Sequence, residues 1–154
     1  IMTITGDAIN NPQNFLVRMG TNQSELIEAA GGFKEEPEKI ISGGPMMGIA
    51  MSSTDVPVQK GSSSLLCLIK DPVSAVEESN CINCGRCVDA CPENLLPSRL
   101  AKVARQGDME EFEKLNGLEC CECGSCSYIC PAKRNLAQSI KTMRKDVLAS
   151  KRKK

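Results

Sequence analysis

The stretch Cys81-x-x-Cys84-x-x-Cys87-x-x-x-Cys91-Pro92 decides most about the fold of this chain, and it recurs as Cys120-x-x-Cys123-x-x-Cys126-x-x-x-Cys130-Pro131. The two copies use eight of the ten cysteines in the 154-residue sequence. Three cysteines spaced by two residues can wrap three irons of a cubic cluster, while the fourth, followed by proline, points elsewhere. The sequence therefore predicts two 4Fe-4S clusters, which indicates a chain that carries electrons.

The fourth cysteine of such a motif binds the cluster of the other motif when two clusters are present. We therefore assign Cys81, Cys84, Cys87 and Cys130 to one cluster, and Cys120, Cys123, Cys126 and Cys91 to the other. A thiolate on every iron leaves no open position for a substrate, so we predict electron transfer and no catalytic residue. Gly85 and Gly124 precede the third cysteines, where glycine permits positive φ and close backbone approach, although an ordinary turn glycine would look the same.

Zinc and disulfide bonds are the alternative uses of so many cysteines. Zinc sites usually combine two separated Cys-x-x-Cys pairs, whereas here three cysteines are followed by Cys-Pro, twice. A disulfide framework suits a small secreted domain, and we do not expect one here. The chain has no histidine, which excludes a Rieske centre and histidine-dependent catalysis, and its low aromatic content argues against nucleic acid as a partner.

Two cysteines lie outside the motifs. Cys67 stands between Leu66 and Leu68 in a predicted strand, so we interpret it as a small buried apolar residue. Cys121 breaks the spacing, because Cys120 is the residue three positions before Cys123. We expect Cys121 to stand beside a cluster without binding it, and competition for an iron is the alternative.

Length and charge bound the remaining possibilities. We expect two modest domains, because clusters can replace part of the hydrophobic core that a small unit lacks. The longest apolar run, residues 65–69, is far shorter than the roughly 20 residues of a membrane-spanning helix, so none is predicted. Net charge is zero, yet residues 133–154 carry nine Lys or Arg against Asp146 alone. This basic segment can bind an anionic membrane surface or an acidic partner, and a solvated helix is the alternative.

The first part of the chain predicts a small sheet with one helix on its face. Strands are indicated by alternating or apolar patterns at residues 1–5, 14–19, 39–42 and 64–69. The last of them is nearly all apolar, which favours a central position in the sheet. A helix capped by Thr21 or Asn22 carries Leu26, Ile27 and Ala30 on one face and ends at Gly31-Gly32.

Between the last two strands lies Gly43-Gly44-Pro45-Met46-Met47-Gly48. Glycines allow a sharp turn or the close approach of another backbone or a ligand, and methionines suit an adaptable contact surface. We interpret the segment as a structural turn with two methionines in the core. It matches neither of the common glycine-rich nucleotide-binding motifs, so no nucleotide site is predicted.

Asp71-Pro72 marks the predicted boundary between domains at residues 1–70 and 71–154. Three helices are predicted in the second domain. The first runs from Pro97 to Gly107 and carries Leu100, Val103 and Ala104 on one side. The second begins with an Asp108–Glu111 capping box, carries Met109, Phe112 and Leu115 and is closed by Gly117, and the third is a long helix with Leu136, Ile140, Met143 and Val147 on one stripe. The predicted fold class is α+β, with a small sheet domain followed by an α-helical cluster domain.

The chain as a whole resembles a known family, the C subunits of the Rnf ion-translocating electron transport complexes. The resemblance rests on Ile41-Ser42-Gly43-Gly44-Pro45-Met46-Met47-Gly48-Ile49-Ala50, on Val56-Pro57-Val58-Gln59-Lys60-Gly61 and on the paired cysteine motifs. It implies an SLBB (soluble-ligand-binding β-grasp) domain at residues 1–70 and an α-helical ferredoxin domain after it. It also implies that the chain is a C-terminal fragment, with a flavin- and NADH-binding domain upstream.

The function implied by the resemblance is electron relay between an NADH/FMN module and other subunits of a membrane complex that couples NAD and ferredoxin redox chemistry to Na⁺ or H⁺ translocation. FMN and NADH would bind only the upstream domain, so this fragment would carry electrons without catalysing a reaction. The resemblance implies a cytoplasmic location at the inner face of the cell membrane. A corrin (cobalamin) reductase of bacterial microcompartments is the closest alternative, and a ligand-binding module with structural clusters is the alternative from another class.

Overall fold

The computed structural model describes residues 1–152, so Lys153 and Lys154 of the basic segment lie outside the described residues. Two compact units follow each other along the chain, Ile1–Ala75 and Val76–Lys154. The first holds a five-stranded sheet and the second is built from helices, so the predicted mixture of α and β structure is confirmed. The boundary predicted after residue 70 stays a prediction about domains, and residues 71–75 group with the sheet.

The sheet of the first unit is mixed. Its strands are β1 Met2–Thr5, β2 Gln13–Phe15, β3 Lys39–Ser42, β4 Ile49–Met51 and β5 Ser64–Leu68. Their order is β2-β1-β5-β3-β4, with β1 and β5 parallel and the other neighbours antiparallel. The prediction that β5 is central is confirmed, and Leu65 and Cys67 of this strand are fully buried. A strand bonded on both sides and covered on a face needs such apolar residues.

One helix, α1 Gln23–Ala29, covers part of this core. Its first turn is capped by Asn22, whose side-chain oxygen accepts a hydrogen bond from the Ser24 backbone N–H at 3.1 Å. Leu26, Ile27 and Ala30 are buried in one apolar cluster with the sheet residues Met2 and Ile4, as the apolar spacing predicts. Cys67 belongs to the same core, which confirms its interpretation as a buried apolar residue.

The segment before β4 differs from the prediction. Met46 and Met47 are exposed, by 49% and 57%, so the interpretation of both as core residues is wrong. The close backbone approach is confirmed at Gly48, where a Cβ atom would lie 2.5 Å from the Gly44 carbonyl oxygen and 2.4 Å from Ile41 Cγ2. The strand β4 that follows was not predicted, because Ile49 and Ala50 are exposed at the sheet edge and lack an alternating pattern.

The second unit contains α2 Arg86–Asp89, α3 Pro97–Gln106, α4 Met109–Lys114, a 3₁₀ turn Gly117–Glu119, α5 Ser125–Tyr128 and α6 Leu136–Arg152. Helix α3 begins at Pro97 and ends before Gly107, as predicted, and Asp108 accepts from the Glu111 N–H at 2.9 Å to cap α4. Within residues 76–152 no strand is assigned. Of the apolar residues predicted on α4, Phe112 is fully buried, whereas Met109 is 39% exposed.

Helices α3 and α6 pack against each other to form the core of the second unit. The predicted stripe of α6 is confirmed, because Leu136, Ile140, Met143 and Val147 are all buried. Cys126 and Cys130 belong to the same buried cluster, so two motif cysteines form part of the core. Across the described residues 1–152, no helix is long and apolar enough to cross a membrane.

Candidate functional site

The motif cysteines line two cavities of the second unit. The first cavity encloses about 390 Å³, including its open mouth, and the second about 370 Å³. The first is lined by Cys81, Cys84, Cys87 and Cys130. The second is lined by Cys91, Cys120, Cys123 and Cys126, and also by Cys121. Each cavity therefore holds three cysteines of one motif and the fourth cysteine of the other.

Short helices explain this exchange. Cys87 lies in α2 and Cys91 just beyond its end, so four residues of helical rise, about 6 Å, carry the chain from the first cavity to the second. Helix α5 does the same in the other direction, from Cys126 to Cys130. The two helices pack on each other, which brings the two cavities side by side.

Both cysteine loops bend through the left-handed region. Gly85 and Gly124 have φ of 77° and 81° and precede α2 and α5, which agrees with the predicted positive φ. A Cβ atom at Gly85 would meet no protein atom within 4 Å, so the backbone angle rather than space demands glycine there. Asn83 and Glu122 are also left-handed, with φ of 54° and 58°. Asparagine tolerates this conformation, whereas glutamate rarely adopts it.

Glu122 is held in this conformation by helix α6. Its carboxylate accepts a hydrogen bond from Arg144 Nη1 at 3.1 Å and lies 3.7 Å from Lys141 Nζ. Arg144 Nε also donates to the Leu118 carbonyl oxygen at 3.0 Å. Two basic residues of the C-terminal helix thus stabilise the second cysteine loop. Sequence reasoning missed this role, because it follows only from the packing of α6 beside the loop.

The first cysteine loop is anchored on the other side of the unit by Glu78. The Asn135 backbone N–H donates to Glu78 at 2.7 Å, and Arg105 Nη2 donates to both carboxylate oxygens at 2.9 and 2.7 Å. The Asn135 N–H, and to a lesser degree Arg105, hold the pKa of Glu78 below its usual range. The next N–H, of Ser79, donates to the Ala132 carbonyl at 3.0 Å. These bonds tie the approach to Cys81 to the residues that follow Cys130.

The thiols differ in their surroundings. Burial raises the pKa of Cys126 to about 11, and burial likewise raises the pKa of Cys120. The Ser125 hydroxyl beside Cys123 lowers the pKa of that thiol. Because iron binds thiolates, cluster binding at Cys126 has to displace a firmly held proton. A coordinating metal supplies that driving force by its own charge.

The donor set fits 4Fe-4S clusters. Each cavity is lined by four motif cysteines, three from one motif and one from the other. Ligands of a cubic cluster bind separate irons and so surround the cube. In this arrangement the eight motif cysteines would hold the clusters, which would supply one-electron redox chemistry. Cys121 is exposed and also lines the second cavity, and Cys67 lies in the first unit.

Several other lining residues escaped the sequence interpretation. Ser98 and Arg134 contribute to the first cavity, and Glu93 and Glu122 to the second. Alignment of the two motif copies with each other would have drawn attention to these positions, because their residue types differ between the copies.

Comparisons with known proteins match both units. Residues 1–50 match the SLBB domain family, and residues 80–134 match the 4Fe-4S dicluster domain family. The C subunit of a Na(+)-translocating ferredoxin:NAD(+) oxidoreductase complex of Acetobacterium woodii is 47% identical over 152 residues, which cover 99% of this chain and 34% of that protein. The C subunit of a proton-translocating ferredoxin:NAD(+) oxidoreductase complex of Clostridium ljungdahlii is 49% identical over 147 residues, covering 95% of this chain and 32% of that protein.

The C subunit of an ion-translocating oxidoreductase complex of Methanosarcina acetivorans is 40% identical over 150 residues, covering 97% of this chain and 33% of that protein. The chain thus spans about a third of the length of these curated relatives. The match includes the SLBB region and the dicluster region together, which is the combination expected from the sequence motifs. The chain therefore belongs to the family of C subunits of the Rnf ion-translocating oxidoreductase complexes.

Proposed function

We propose that this chain relays single electrons through two 4Fe-4S clusters within a membrane complex that translocates ions. The observation that carries the proposal is the exchange of Cys91 and Cys130 between the two cavities. This exchange brings four thiols to each cavity. It also supports a short path for an electron between the sites, because α2 and α5 each span both.

The redox partners belong to the proposal as well. The relatives from A. woodii and C. ljungdahlii are named for ferredoxin and NAD(+) and for the translocation of Na⁺ or protons. We infer that this chain passes electrons between an NADH/FMN module, in the part of such proteins that it does not span, and other subunits of the complex. Ferredoxin is a further proposed partner. Alone, residues 1–154 would carry electrons without catalysing a reaction of NADH.

The sheet unit is proposed to be a β-grasp. The order β2-β1-β5-β3-β4, with β1 and β5 parallel at the centre and α1 on one face, supports this assignment. We propose that the β-grasp domain comprises residues 1–70 and the helical ferredoxin domain residues 71–154.

The proposed location is the cytoplasmic face of the membrane, with the chain bound peripherally. The basic helix α6 is a weaker candidate for contact with anionic lipid than its charge suggests. Lys141 and Arg144 lie against Glu122, and Lys151 is paired with Glu113 at 2.5 Å. Lys145 and Arg152 are exposed, and they would provide the contact with an anionic membrane surface.

Anaerobic preparation of the chain tests the cluster assignment. We expect about four irons and four sulfides per site, a brown absorption spectrum and an EPR signal that appears on reduction with dithionite. A colourless protein that contains zinc, or clusters that accept no electron over the accessible potential range, would refute the relay.

Two matched variants test the ligand set. Cys84→Ser should remove about half of the iron, because Cys84 lines the first cavity only. Cys121→Ser should leave the iron content unchanged, since Cys121 is predicted not to bind a cluster, although it lines the second cavity. Equal iron loss in the two variants would overturn the assignment.

A further inference from the structure

The two cavities are related position by position through the repeat. When Cys81 is aligned with Cys120, the lining residues of the first cavity coincide with those of the second, including Ser98 with Ala137 and Leu136 with Pro97. Any difference between matched positions is therefore a difference between two otherwise similar sites.

The matched positions differ in charge, always in the same direction. Arg134 lines the first cavity, and its counterpart in the second is Leu95. Glu93 lines the second cavity, and its counterpart in the first is Ala132. The first cavity thus has a positive residue, the second a negative one. The hydroxyl of Ser98 in the first cavity is likewise replaced by a methyl group, that of Ala137, in the second.

The other charged groups near the cavities largely cancel. Glu122 lines the second cavity, but Arg144 binds it, and the counterpart of Arg144 is Arg105, which binds Glu78 on the side of the first cavity. Each side therefore has one Arg–Glu pair, and on the second side Glu122 also lies 3.7 Å from Lys141 Nζ. Lys102 and Lys141 are also counterparts in α3 and α6. Arg134 also helps to lower the pKa of Glu78, which Arg105 already pairs. Among the residues that line the cavities, the charge difference that remains lies at Arg134 and Glu93.

The motif cysteines of the first cavity are, with one exception, more exposed to solvent than their counterparts in the second. Cys81 and Cys84 are exposed, whereas their counterparts Cys120 and Cys123 are half-buried. Cys87 is half-buried and its counterpart Cys126 is buried. Only the fourth ligands reverse this order, since Cys130 is buried and Cys91 half-buried. Water around a cluster stabilises the more highly charged, reduced form.

Groups able to donate a hydrogen bond to a ligand sulfur lie at the second site, whereas at the first site Cys81 Sγ faces Asn83 Oδ1, an acceptor, at 3.6 Å. The Leu95 N–H lies 3.4 Å from Cys91 Sγ, and the Ser125 hydroxyl lies 3.4 Å from Cys123 Sγ. These are neutral dipoles, whose effect falls off faster with distance than that of a full charge. The two unmatched charges, Arg134 and Glu93, act together in the opposite sense and should dominate.

We propose that Arg134 and Glu93 make the two clusters unequal, so that the site of Cys81, Cys84, Cys87 and Cys130 has the higher reduction potential and receives the first electron. Reduction adds one electron, and no proton, to a site already surrounded by thiolates. Arg134 stabilises that added negative charge, and Glu93 opposes it at the other site. The inference rests on the proposed function, because it requires both clusters to be bound.

Redox titration followed by EPR tests this order, with dithionite as the reductant. Two reduction steps in the parent protein would not show that the sites differ, because the first electron repels the second even between identical sites. Cys123→Ala and Cys84→Ala remove one matched ligand each, and the remaining complete cluster is titrated alone. We expect the site left in Cys123→Ala to be reduced at a higher potential than the site left in Cys84→Ala.

Charge variants of the full chain test the cause. Arg134→Gln should lower the ratio of reduced to oxidised cluster at the first site by roughly threefold to tenfold at a given ambient potential, where tenfold corresponds to about 59 mV for one electron. Glu93→Gln should raise the ratio at the second site. Lys133→Gln and Glu110→Gln are the controls, because both residues are exposed and line neither cavity.

The outcomes separate the two proposals. Absence of iron–sulfur signals would refute the relay itself. Intact clusters with equal or reversed potentials in the single-site variants would overturn the inference alone. Shifts in the controls as large as those in Arg134→Gln and Glu93→Gln would do the same, since they would reflect net charge rather than the cavity walls.

Discussion

The cores of the two units are built in different ways. The sheet unit buries Met2, Ile4 and Leu65 completely and closes its core with a hydrogen-bonded ladder. The helical unit includes Cys126 and Cys130 among its buried core residues. The core of the sheet unit contains no proposed iron ligand, whereas the core of the helical unit includes two of them. We infer that the sheet unit is stable by itself and that the helical unit depends on its clusters.

Removal of iron should have the largest effect. Metal binding in small domains contributes about 10–16 kcal/mol at structural zinc sites, which equals or exceeds the roughly 5–15 kcal/mol that stabilises a typical domain. Oxidation with a chelator should therefore abolish hydrogen-exchange protection in α3 and α6. Amides of β1 and β5 should keep theirs, as the internal control. Equal protection of α3 and α6 with and without iron would contradict the proposed dependence.

A cavity in the sheet should have a smaller effect, confined to the other unit. Leu65→Ala removes a fully buried side chain from the central strand and should cost about 2–5 kcal/mol of stability. Iron content and EPR signals should not change. Leu16→Ala is the matched control, because Leu16 is 92% exposed and its loss should stay within about 0.5 kcal/mol. Urea unfolding followed by hydrogen exchange measures both, and loss of clusters in Leu65→Ala would contradict independent units.

Arg144→Gln should weaken only the helical unit, by about 1–2 kcal/mol. The variant loses the hydrogen bonds to Glu122 and to the Leu118 carbonyl, which together hold the second cysteine loop. We expect faster loss of one cluster on exposure to air, measured by the decay of visible absorption. Lys145→Gln, an exposed neighbour on the same helix, is the control. The same decay in both variants would show that the Arg144 contacts do not stabilise the loop.

Acid should produce the smallest effect, in the sheet unit. The side chain of Lys39 lowers the pKa of Asp71, whose carboxylate also accepts from the Val73 N–H at 3.1 Å. Because the folded pKa lies below the unfolded value of about 3.9, ionised Asp71 stabilises the fold above that pH. This contribution is lost as the pH falls through the folded pKa.

Comparison with Asp71→Asn isolates this contribution. The variant should be less stable than the parent protein at neutral pH, and the difference should vanish in strong acid. This stability difference is measured from the urea concentration at which the amides of the sheet lose half of their hydrogen-exchange protection, after equilibration at each pH. A difference that does not depend on pH would indicate that hydrogen-bond geometry, rather than the charge of Asp71, is responsible.

Helix ends and apolar stripes could be predicted from the sequence because their causes are local. Pro97, Asp108 and Gly107 act on the backbone within one turn. The central strand β5 was equally predictable, since a buried strand needs continuous apolar residues. In contrast, the exposed strand β4 and the exposed pair Met46 and Met47 depend on what lies next to them in space, about which their own residue types say little.

The cysteine spacing alone determined the proposed ligand sets, because four-thiol clusters constrain the intervals between ligands so strongly. Tertiary structure decided what surrounds those thiols. Glu93 and Arg134 closely follow Cys91 and Cys130 in the sequence, but only the folded loops show that both residues line the cavity of the preceding cysteine. Two basic residues of α6 that suggested a membrane or partner contact in the sequence, Lys141 and Arg144, instead lie against Glu122. Spacing is encoded along the chain, whereas ion pairs such as that of Arg144 with Glu122 join residues distant in sequence that meet only after folding.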